Sequence, residues 1–265
     1  MIVSGITPSG EFHIGHLREI LTAEMIHRAC LDAGLESRYV FIVDSMDPLR
    51  RVYDFLSEDY EQFIGVPLAY IPAPNTDGTP SNGETSYAEH FLNPFLEALK
   101  EIGVFPEIVM NHETYENGQF SEKIDLAIRK REEIREIIMR VSGRELPEDW
   151  FPYSPRGPNG SMDGITVTSY EYPHVYWVDE NGVSGESDIR RADGKMPWRL
   201  DWAARWIIHG VTCEPAGKDH GAAGGSYDTG IPICELLGGS PPDKIVYEWI
   251  QLKGMGQCRV LLESQ

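Results

Sequence analysis

The sequence has few basic residues for its length. Its 265 residues include 23 Lys and Arg against 42 Asp and Glu, which gives a formal net charge of −19 at pH 7. Phosphate binding depends on Lys and Arg, so this balance excludes a general nucleic-acid coat. Short basic clusters occur at 50–51, 129–131 and 190–191. We interpret these clusters as solvated charge, so any RNA contact requires a local basic patch or a segment outside this sequence.

Cysteine and long apolar runs are also scarce. The four cysteines, Cys30, Cys213, Cys234 and Cys258, lie far apart and form no CxxC pair. A zinc knuckle is therefore not encoded, and reduced thiols of a cytosolic protein are expected. No stretch of about 18 apolar residues could cross a bilayer, and the first residues run into a glycine turn rather than a signal peptide. We therefore expect a cytoplasmic protein.

The chain opens with a β-α-β pattern inside an ordinary globular composition. Apolar residues make up 41% of the sequence, as in typical folded domains. Residues 2–4 form a short apolar start, and 15–33 have helical apolar spacing that ends at Gly34. The run 38–43 predicts a buried strand that ends at Asp44. Such a unit is expected to be parallel and right-handed.

The rest of the chain alternates irregular and helical stretches. Four prolines disfavour regular structure between 66 and 86. The block 144–197 is rich in Pro, Gly and Tyr, and is predicted to be an irregular insertion into the sheet domain. The other predicted elements are helices at 87–103, 121–140 and 198–209, a strand at 211–213 and a glycine-rich loop at 217–230.

The most informative chemical signal is the turn before the first helix. Residues 4–10 form a loop with two glycines, and His13-Ile14-Gly15-His16 follows at the helix start. A helix N-terminus offers unpaired backbone N–H groups, and two imidazoles beside it add further donors. Gly15 removes a side chain where another group must stack closely. This combination predicts a site for a nucleoside triphosphate.

The residues 13–16 resemble the HIGH signature of class I aminoacyl-tRNA synthetases. Further segments are similar to class I lysyl-tRNA synthetases, in that family's order and over nearly the whole chain. These segments are 4–10, 86–91, 197–202, 217–220 with 224–230, and 247–250 with 252–254. HIGH alone would be moderate evidence, whereas several ordered motifs together are specific.

The resemblance implies an α/β fold with a Rossmann-type parallel sheet that binds nucleotide, and an inserted irregular or helical subdomain. It also implies a division of the chain. The predicted ranges are 1–65 for the first half of the catalytic domain, 66–197 for the inserted connective region, 198–256 for the second half and 257–265 for an atypical tail. The anticodon-binding domain expected downstream in the family has no counterpart in these residues.

The resemblance implies a reaction as well. Lysine would attack ATP, supplied with Mg²⁺, to give lysyl-adenylate and pyrophosphate, and tRNA(Lys) would accept the lysyl group. No membrane or DNA partner is expected. The donors that stabilise charge on the phosphates are His13 and His16. The residues implied for ATP binding are Thr7, Gly15, Gly217, Asp219 and His220. The residues implied for lysine binding are Gly5, Thr7, Trp198, Asp201, His220 and Tyr247.

Each lysine-site residue has an expected contribution. Gly5 would leave room for the amino-acid backbone, and Thr7 would offer a hydroxyl. Asp201 would pair with an ammonium group, while Trp198 and Tyr247 would flank the aliphatic stem. The tryptophans at 198, 202 and 206 have a helical spacing of four, so we expect at least one of them to be a packing residue.

Two features depart from the family pattern. Family members commonly carry zinc-binding cysteine pairs in the insertion, whereas the matching stretches 153–156 and 176–182 contain no cysteine. No metal ligand is therefore assigned, and we expect glycine turns and aromatic packing to hold the insertion. The family's mobile Lys-Met-Ser-Ser-Ser loop is also missing. One allowed coding of residues 257–264, read from its third base, gives Met-Ser-Ser-Ser-Ser-Gly-Lys, so we interpret the tail as a frameshifted form of that loop.

Other functions remain open at this stage. A stand-alone paralogue could adenylate lysine or a similar amino acid for an acceptor other than tRNA. A non-catalytic module could bind lysine or nucleotide without forming an adenylate. A different nucleotidylyltransferase could share the HxGH signature, but it would not explain the segments at 198–202 and 217–220.

Overall fold

The computed structural model describes residues 1–248, 250–252 and 256–257. Most of the predicted tail at 257–265 lies outside these residues. The strands are β1 (Ile2–Ile6), β2 (Tyr39–Val43), β3 (Glu107–Met110), β4 (Ser154–Pro155), β5 (Ile165–Glu171), β6 (His174–Asp179), β7 (Ser184–Asp188), β8 (Gly194–Lys195), β9 (Cys213–Gly217), β10 (Asp243–Tyr247), β11 (Gln251–Leu252) and β12 (Gly256–Gln257). The α-helices are α1 (Ile14–Asp32), α2 (Tyr87–Glu101), α3 (Asn111–Glu116), α4 (Ser121–Arg129), α5 (Arg131–Ser142), α6 (Trp198–His209), α7 (Lys218–Gly221) and α8 (Ser226–Leu236).

A five-stranded parallel sheet forms the centre of the fold, which confirms the predicted α/β class. Its strand order is β10-β9-β1-β2-β3. β2 is buried along its whole length, as its uninterrupted apolar sequence predicts for a strand covered on both faces. The first β-α-β unit has the predicted form, and Gly34 follows α1 with a φ of +75°.

Parts of the predicted organisation differ from the structure. The sheet strand β3 lies inside the range 66–197 that was predicted to be the insertion. β3 is a short edge strand with partly exposed residues, and its apolar run of three residues is shorter than the run of five in β2. The predicted helix 121–140 is two helices that meet at Lys130, and the glycine-rich stretch 217–230 contains α7 and part of α8. The strand predicted at 211–213 begins instead at Cys213.

The block 144–197 is more regular than predicted. It contains a three-stranded antiparallel sheet in the order β5-β6-β7. Trp177 lies over Gly185 in this sheet, where a larger residue would collide with the indole, and its Nε1–H donates to the Ser187 hydroxyl at 3.0 Å. Aromatic packing on a glycine therefore supports the insertion, as expected. Within the described ranges, no group of three or more His, Cys, Asp or Glu side chains could hold a metal ion.

The carboxyl ends of four sheet strands meet at one edge. β1, β2, β9 and β10 end at Ile6, Val43, Gly217 and Tyr247. Ligands of open α/β sheets bind at this edge, because helix N-termini and loops converge there. No helix of the described chain is long and apolar enough to cross a membrane.

Candidate active site

Two connected cavities open at the carboxyl edge of the sheet. The main cavity has a volume of about 520 Å³ and is lined by Gly5, Ile6, Thr7, Ser9, His16, Glu19, Asp44, Asp47, Pro48, Arg50, Tyr53, Trp198 and His220. The inner cavity, of about 60 Å³, is lined by Gly5, Glu19, Asp44, Trp198, Trp202, Arg205, Glu214, Pro215, Ala216, Gly217 and His220. The two cavities share residues from β1, α1 and α6, so together they form one site with a wide entrance and a narrow end.

The two signature histidines form the start of α1. His13 is the N-cap, and its Nδ1 accepts a hydrogen bond from the Gly15 N–H at 3.0 Å. The Nδ1 of His16 in turn accepts from the His13 N–H at 3.0 Å. Because both Nδ1 atoms accept, each neutral ring carries its proton on Nε2 and presents an N–H donor away from the helix.

The two imidazoles pack against each other at the mouth of the site. Their ring centroids are 4.0 Å apart, and His16 lines the main cavity. Burial, with the neighbouring His13, lowers the pKa of His16 to about 4. His16 is therefore a neutral donor at physiological pH. A Cβ at Gly15 would lie 2.7 Å from His13 Cε1, so the group that requires this glycine is the His13 ring itself.

Gly5 and Thr7, which the resemblance assigns to substrate binding, both line the main cavity. A Cβ at Gly5 would meet no atom closer than 3.6 Å, so it would occupy cavity space rather than clash with the protein. The Thr7 hydroxyl donates to Asp47 Oδ2 at 2.8 Å and keeps its oxygen free to accept. Gly5 lies in β1, and Thr7 directly follows that strand.

Trp198 forms the wall that the main and inner cavities share. Its ring stacks on Trp202 with centroids 5.3 Å apart, and His220 lies 5.2 Å from it. Trp202 and Trp206 are nearly inaccessible to solvent, which confirms that the tryptophan series includes packing residues. The stack holds the Trp198 indole rigidly against the site.

The second predicted nucleotide loop is only partly at the site. Gly217 lines the inner cavity, and His220 lines both cavities. Asp219 is exposed and lines neither of them, but it lies 3.5 Å from His220. A Cβ at Gly217 would approach Asp219 Oδ1 to 2.6 Å, so the glycine lets the chain turn sharply into α7.

Asp201 does not reach either cavity, contrary to its predicted contact with an ammonium ligand. It is fully buried and accepts a hydrogen bond from the Tyr115 hydroxyl at 2.6 Å. It also pairs with Lys195 Nζ at 3.2 Å and with Arg205 Nε at 2.9 Å. Its charge is therefore satisfied inside the protein, by cations that its position on α6 brings into contact.

Three carboxylates that the sequence did not indicate line the inner cavity. They are Glu19 of α1, Asp44 after β2 and Glu214 of β9. Glu19 accepts from the Gly5 N–H at 2.9 Å and from the Tyr247 hydroxyl at 3.2 Å. Tyr247 thus holds this carboxylate instead of lining a cavity itself.

Burial and mutual repulsion shape the charge of these carboxylates. Burial raises the pKa of Glu19 to about 8 against the opposing hydrogen bonds from Gly5 and Tyr247, and the charges of Glu214 and Asp44 contribute to this rise. Burial also raises the pKa of Asp44, while Arg205 at 2.5 Å opposes the shift. Glu214 accepts from Trp206 Nε1 at 2.5 Å, and burial raises its pKa too. The inner cavity is thus built to receive a positive group.

One sequence signal could have identified Glu19. It lies three residues after His16, on the same face of α1 as the signature. Asp44 was noted only as the end of a strand, although side chains that follow parallel strands converge at the ligand-binding edge. Glu214 lies within a strand that was placed too early in the chain.

The chain matches known proteins over nearly its entire length. The family model for tRNA synthetases class I (K) matches residues 1–260. A lysine–tRNA ligase of Archaeoglobus fulgidus is 47% identical over 260 residues, which is 97% of this chain and 51% of the relative. A lysine–tRNA ligase of Picrophilus torridus is 45% identical over 257 residues, which is 96% of this chain and 50% of the relative.

The chain thus spans about half the length of these curated relatives. Among solved structures, a glutamate-tRNA synthetase from Elizabethkingia anophelis aligns over 97% of this chain and 51% of that chain, with 12% identity and a TM-score of 0.43. The match of the family model to 260 of the 265 residues is decisive. The chain belongs to the class I tRNA synthetases (K).

Proposed function

We propose that this chain is the catalytic region of a lysine–tRNA ligase, which activates lysine with ATP and transfers the lysyl group to tRNA(Lys). The observation that carries the proposal is the excess of buried carboxylates around the inner cavity. A cationic side chain would offset that excess, whereas a neutral one would leave it uncompensated. Relatives named lysine–tRNA ligases support the same substrate.

The charge count explains the preference for a cation. Three carboxylates line the inner cavity, Glu19, Asp44 and Glu214, and Arg205 lines it with them. Arg205 pairs with Asp44 and also with Asp201 behind the cavity, so it offsets only part of this negative charge. Burying like charges together is costly unless an opposite charge joins them. The ε-ammonium of lysine supplies that charge beside Glu19, with its stem along Trp198.

The donors at the cavity mouth suit the activation step. An oxygen of the lysine α-carboxylate attacks the α-phosphorus of ATP. A new O–P bond forms between these two atoms, and the bond from the α-phosphorus to the pyrophosphate oxygen breaks. Negative charge grows on the phosphate oxygens during this step. The Nε2–H groups of His13 and His16 are neutral donors fixed by backbone hydrogen bonds, so they need little reorganisation to stabilise that charge.

The remaining substrates follow from the same reaction. ATP enters with its Mg²⁺ as a substrate complex, and tRNA accepts the activated lysyl group. Among the residues assigned to ATP from the sequence, Thr7, Gly217 and His220 line the cavities, while Gly15 and Asp219 lie beside them. ATP and tRNA for protein synthesis are cytoplasmic, so we place the reaction in the cytoplasm.

A binding experiment tests the substrate directly. Calorimetric titration of this chain with 5′-O-[N-(L-lysyl)sulfamoyl]adenosine, a stable analogue of lysyl-adenylate, gives its affinity without requiring turnover. The leucyl analogue is the matched control, because it keeps the α-ammonium group and lacks the side-chain ammonium group. We expect the lysyl analogue to bind about 100-fold more tightly or better, since the control leaves buried carboxylates unpaired.

Turnover is measured separately, as lysine-dependent formation of AMP with and without tRNA(Lys). Lysyl-tRNA formation by this chain supports the proposal fully. Equal affinity for the two analogues would show that the site does not select a cation, which contradicts the proposal. AMP formation with lysyl transfer to a different acceptor would instead establish the paralogue, and tight binding without AMP formation would establish a binding module.

A further inference from the structure

The main cavity has an acidic lining, although the proposed reaction brings a highly charged triphosphate into it. Glu19, Asp44 and Asp47 line this cavity. The cations that pair with two of these groups, Arg205 with Asp44 and Lys195 with Asp47, are themselves buried and do not line the main cavity. Bringing like charges together is unfavourable without an opposite charge beside them. A cation at the surface of the cavity would therefore stabilise the bound phosphates.

Arg50 supplies such a charge. Among the residues that the structure describes, it is the only arginine or lysine that lines the main cavity. Its side chain is exposed, and within residues 1–248, 250–252 and 256–257 it makes no ion pair shorter than 4 Å. His16, which lines the same cavity, is a neutral donor because burial lowers its pKa to about 4. Arg50 thus brings a full positive charge that this histidine lacks.

The backbone just before Arg50 is fixed by a neighbouring segment. Leu49 is buried, and its N–H donates to the carbonyl of Val66 at 2.9 Å. The carbonyl of Leu49 accepts from the Gly65 N–H at 2.8 Å. These two hydrogen bonds hold the start of the Arg50 side chain at the cavity, while its exposed end remains free to contact a ligand.

The next residue is also an arginine, but it has a different environment. The guanidinium of Arg51 lies 5.1 Å from the centroid of the Tyr53 ring, and Arg51 lines neither the main nor the inner cavity. The sequence pattern alone assigns both arginines to solvated charge. The structure distinguishes them, because only Arg50 lines the cavity that would receive ATP.

The shape of the site indicates which phosphates Arg50 would contact. In the proposed reaction lysine lies at the inner end, so the α-phosphate lies nearest to it and the other phosphates extend toward the entrance. Arg50 is exposed and does not line the inner cavity, which places it on the entrance side. Its planar guanidinium matches two phosphate oxygens at once.

We propose that Arg50 binds the β- and γ-phosphates of ATP and stabilises the pyrophosphate as it leaves. When the bond from the α-phosphorus to the bridging oxygen breaks, its electron pair stays on that oxygen, and the growing negative charge lies beside the guanidinium. The inference rests on the proposed function and names a further residue of its activation step.

The test compares ligands that differ in their phosphates, by calorimetric titration. The first probe is α,β-methylene-ATP with Mg²⁺, which has the whole triphosphate chain but cannot be cleaved next to the α-phosphorus. AMP and lysyl-sulfamoyl-adenosine lack the β- and γ-phosphates. Arg50→Met is expected to weaken binding of α,β-methylene-ATP about tenfold or more, and binding of the other two ligands less than twofold. Arg50→Lys should recover part of the loss, because it keeps the charge without the planar fork.

Arg51→Met is the matched control, because it removes the same charge from the adjacent position. It is expected to bind all three ligands like the parent chain. Turnover provides a second measurement, since the pyrophosphate charge grows in the transition state. At saturating ATP, the kcat for lysine-dependent AMP formation should fall about tenfold or more in Arg50→Met and stay unchanged in Arg51→Met.

Several results would overturn the inference while leaving the proposed function intact. One is an Arg50→Met variant that binds α,β-methylene-ATP as tightly as the parent chain does. Another is an equal loss in Arg50→Met and Arg51→Met, which would show general attraction of anions. A third is an equal loss for all three ligands, which would show displacement of the cavity lining. A parent chain that binds lysyl-sulfamoyl-adenosine but prefers α,β-methylene-ATP no more than AMP would also overturn it. Failure of the parent chain to bind lysyl-sulfamoyl-adenosine would instead contradict the proposed function.

Discussion

The inner cavity and a neighbouring cavity of about 500 Å³, called here the arginine cavity, are lined by charges of opposite sign. Glu19, Asp44 and Glu214 line the inner cavity, whereas Arg50, Arg144 and Arg199 line the arginine cavity. Trp198 and His220 line both. The same two side chains at the starts of neighbouring elements thus border one acidic and one basic space.

The two cavities also differ in how their charges are held. The inner carboxylates are buried and bonded to the protein, as in the pair of Asp44 with Arg205 at 2.5 Å. In the arginine cavity, Arg50 and Arg144 are exposed and Arg199 is half-buried. A buried charge that is already in position selects its ligand, because a ligand without the opposite charge leaves that buried group unpaired. Exposed charges attract an oppositely charged ligand from solution, and the strength of that attraction depends on the salt concentration.

The largest expected effect concerns Lys195, a buried cation that pairs with two buried carboxylates. Its Nζ pairs with Asp47 at 3.1 Å and with Asp201 at 3.2 Å. Lys195→Met leaves both carboxylates without this partner, so the free energy of unfolding should fall by about 3–5 kcal/mol. Urea denaturation measures the change. Lys100→Met is the control, because Lys100 is exposed and pairs with the exposed Glu97.

Asp47 also accepts a hydrogen bond from the Thr7 hydroxyl, so Lys195→Met affects the lining of the main cavity as well. Adding Asp47→Asn to Lys195→Met should recover part of the lost stability, since it removes one unpaired charge. Equal stability of the parent chain and Lys195→Met would refute a structural role for the buried ion pairs. Lys195→Met should weaken lysine binding only as far as the loss of this ion pair displaces Asp47 and, with it, the Thr7 hydroxyl.

The next effect concerns ligand affinity in the inner cavity. Glu19→Gln keeps the size of the side chain and removes its charge. Losing one partner of a buried charge pair costs about 2 kcal/mol or more, so the lysyl analogue should bind about 30-fold more weakly. Calorimetric titration measures the affinity, with the exposed Glu36→Gln as control. The leucyl analogue should lose nothing, because it has no side-chain ammonium group to pair with Glu19. A parallel loss for both analogues would place Glu19 outside ammonium recognition.

These residues show how far the sequence alone could lead. His16, Gly5, Thr7, Trp198 and His220 line the cavities because local motifs fix their backbone, whereas His13 packs on His16 without lining either cavity. The parallel sheet could be predicted from the apolar run of β2 and the first β-α-β unit. Local patterns are readable because they depend on residues close in the chain.

Long-range partners could not be predicted in the same way. Asp201 has the residue type that an ammonium site requires, but Lys195, Arg205 and Tyr115 satisfy it inside the protein. The opposite holds for Glu19, which looks like a solvated helix residue and lies in the cavity because Gly5 and Tyr247 hold it there. Which acid remains available to a ligand depends on contacts between residues far apart in the chain.

A third prediction concerns the pH dependence of lysine affinity. Burial raises the pKa of Glu19 to about 8, so this carboxyl group is largely protonated in the empty site at pH 7. It must lose its proton when an ammonium group binds. Lysine affinity should therefore increase by about tenfold from pH 7 to pH 8.5 and then level off. Titration calorimetry in buffers of different ionisation enthalpy also counts the released proton. A pH-independent affinity in the parent chain would contradict the assignment.

The same series provides an internal comparison. Glu19→Gln should bind the lysyl analogue with little pH dependence, because its amide does not titrate in this range. The same pH dependence in the parent chain and in Glu19→Gln would indicate that a group other than Glu19 releases the proton.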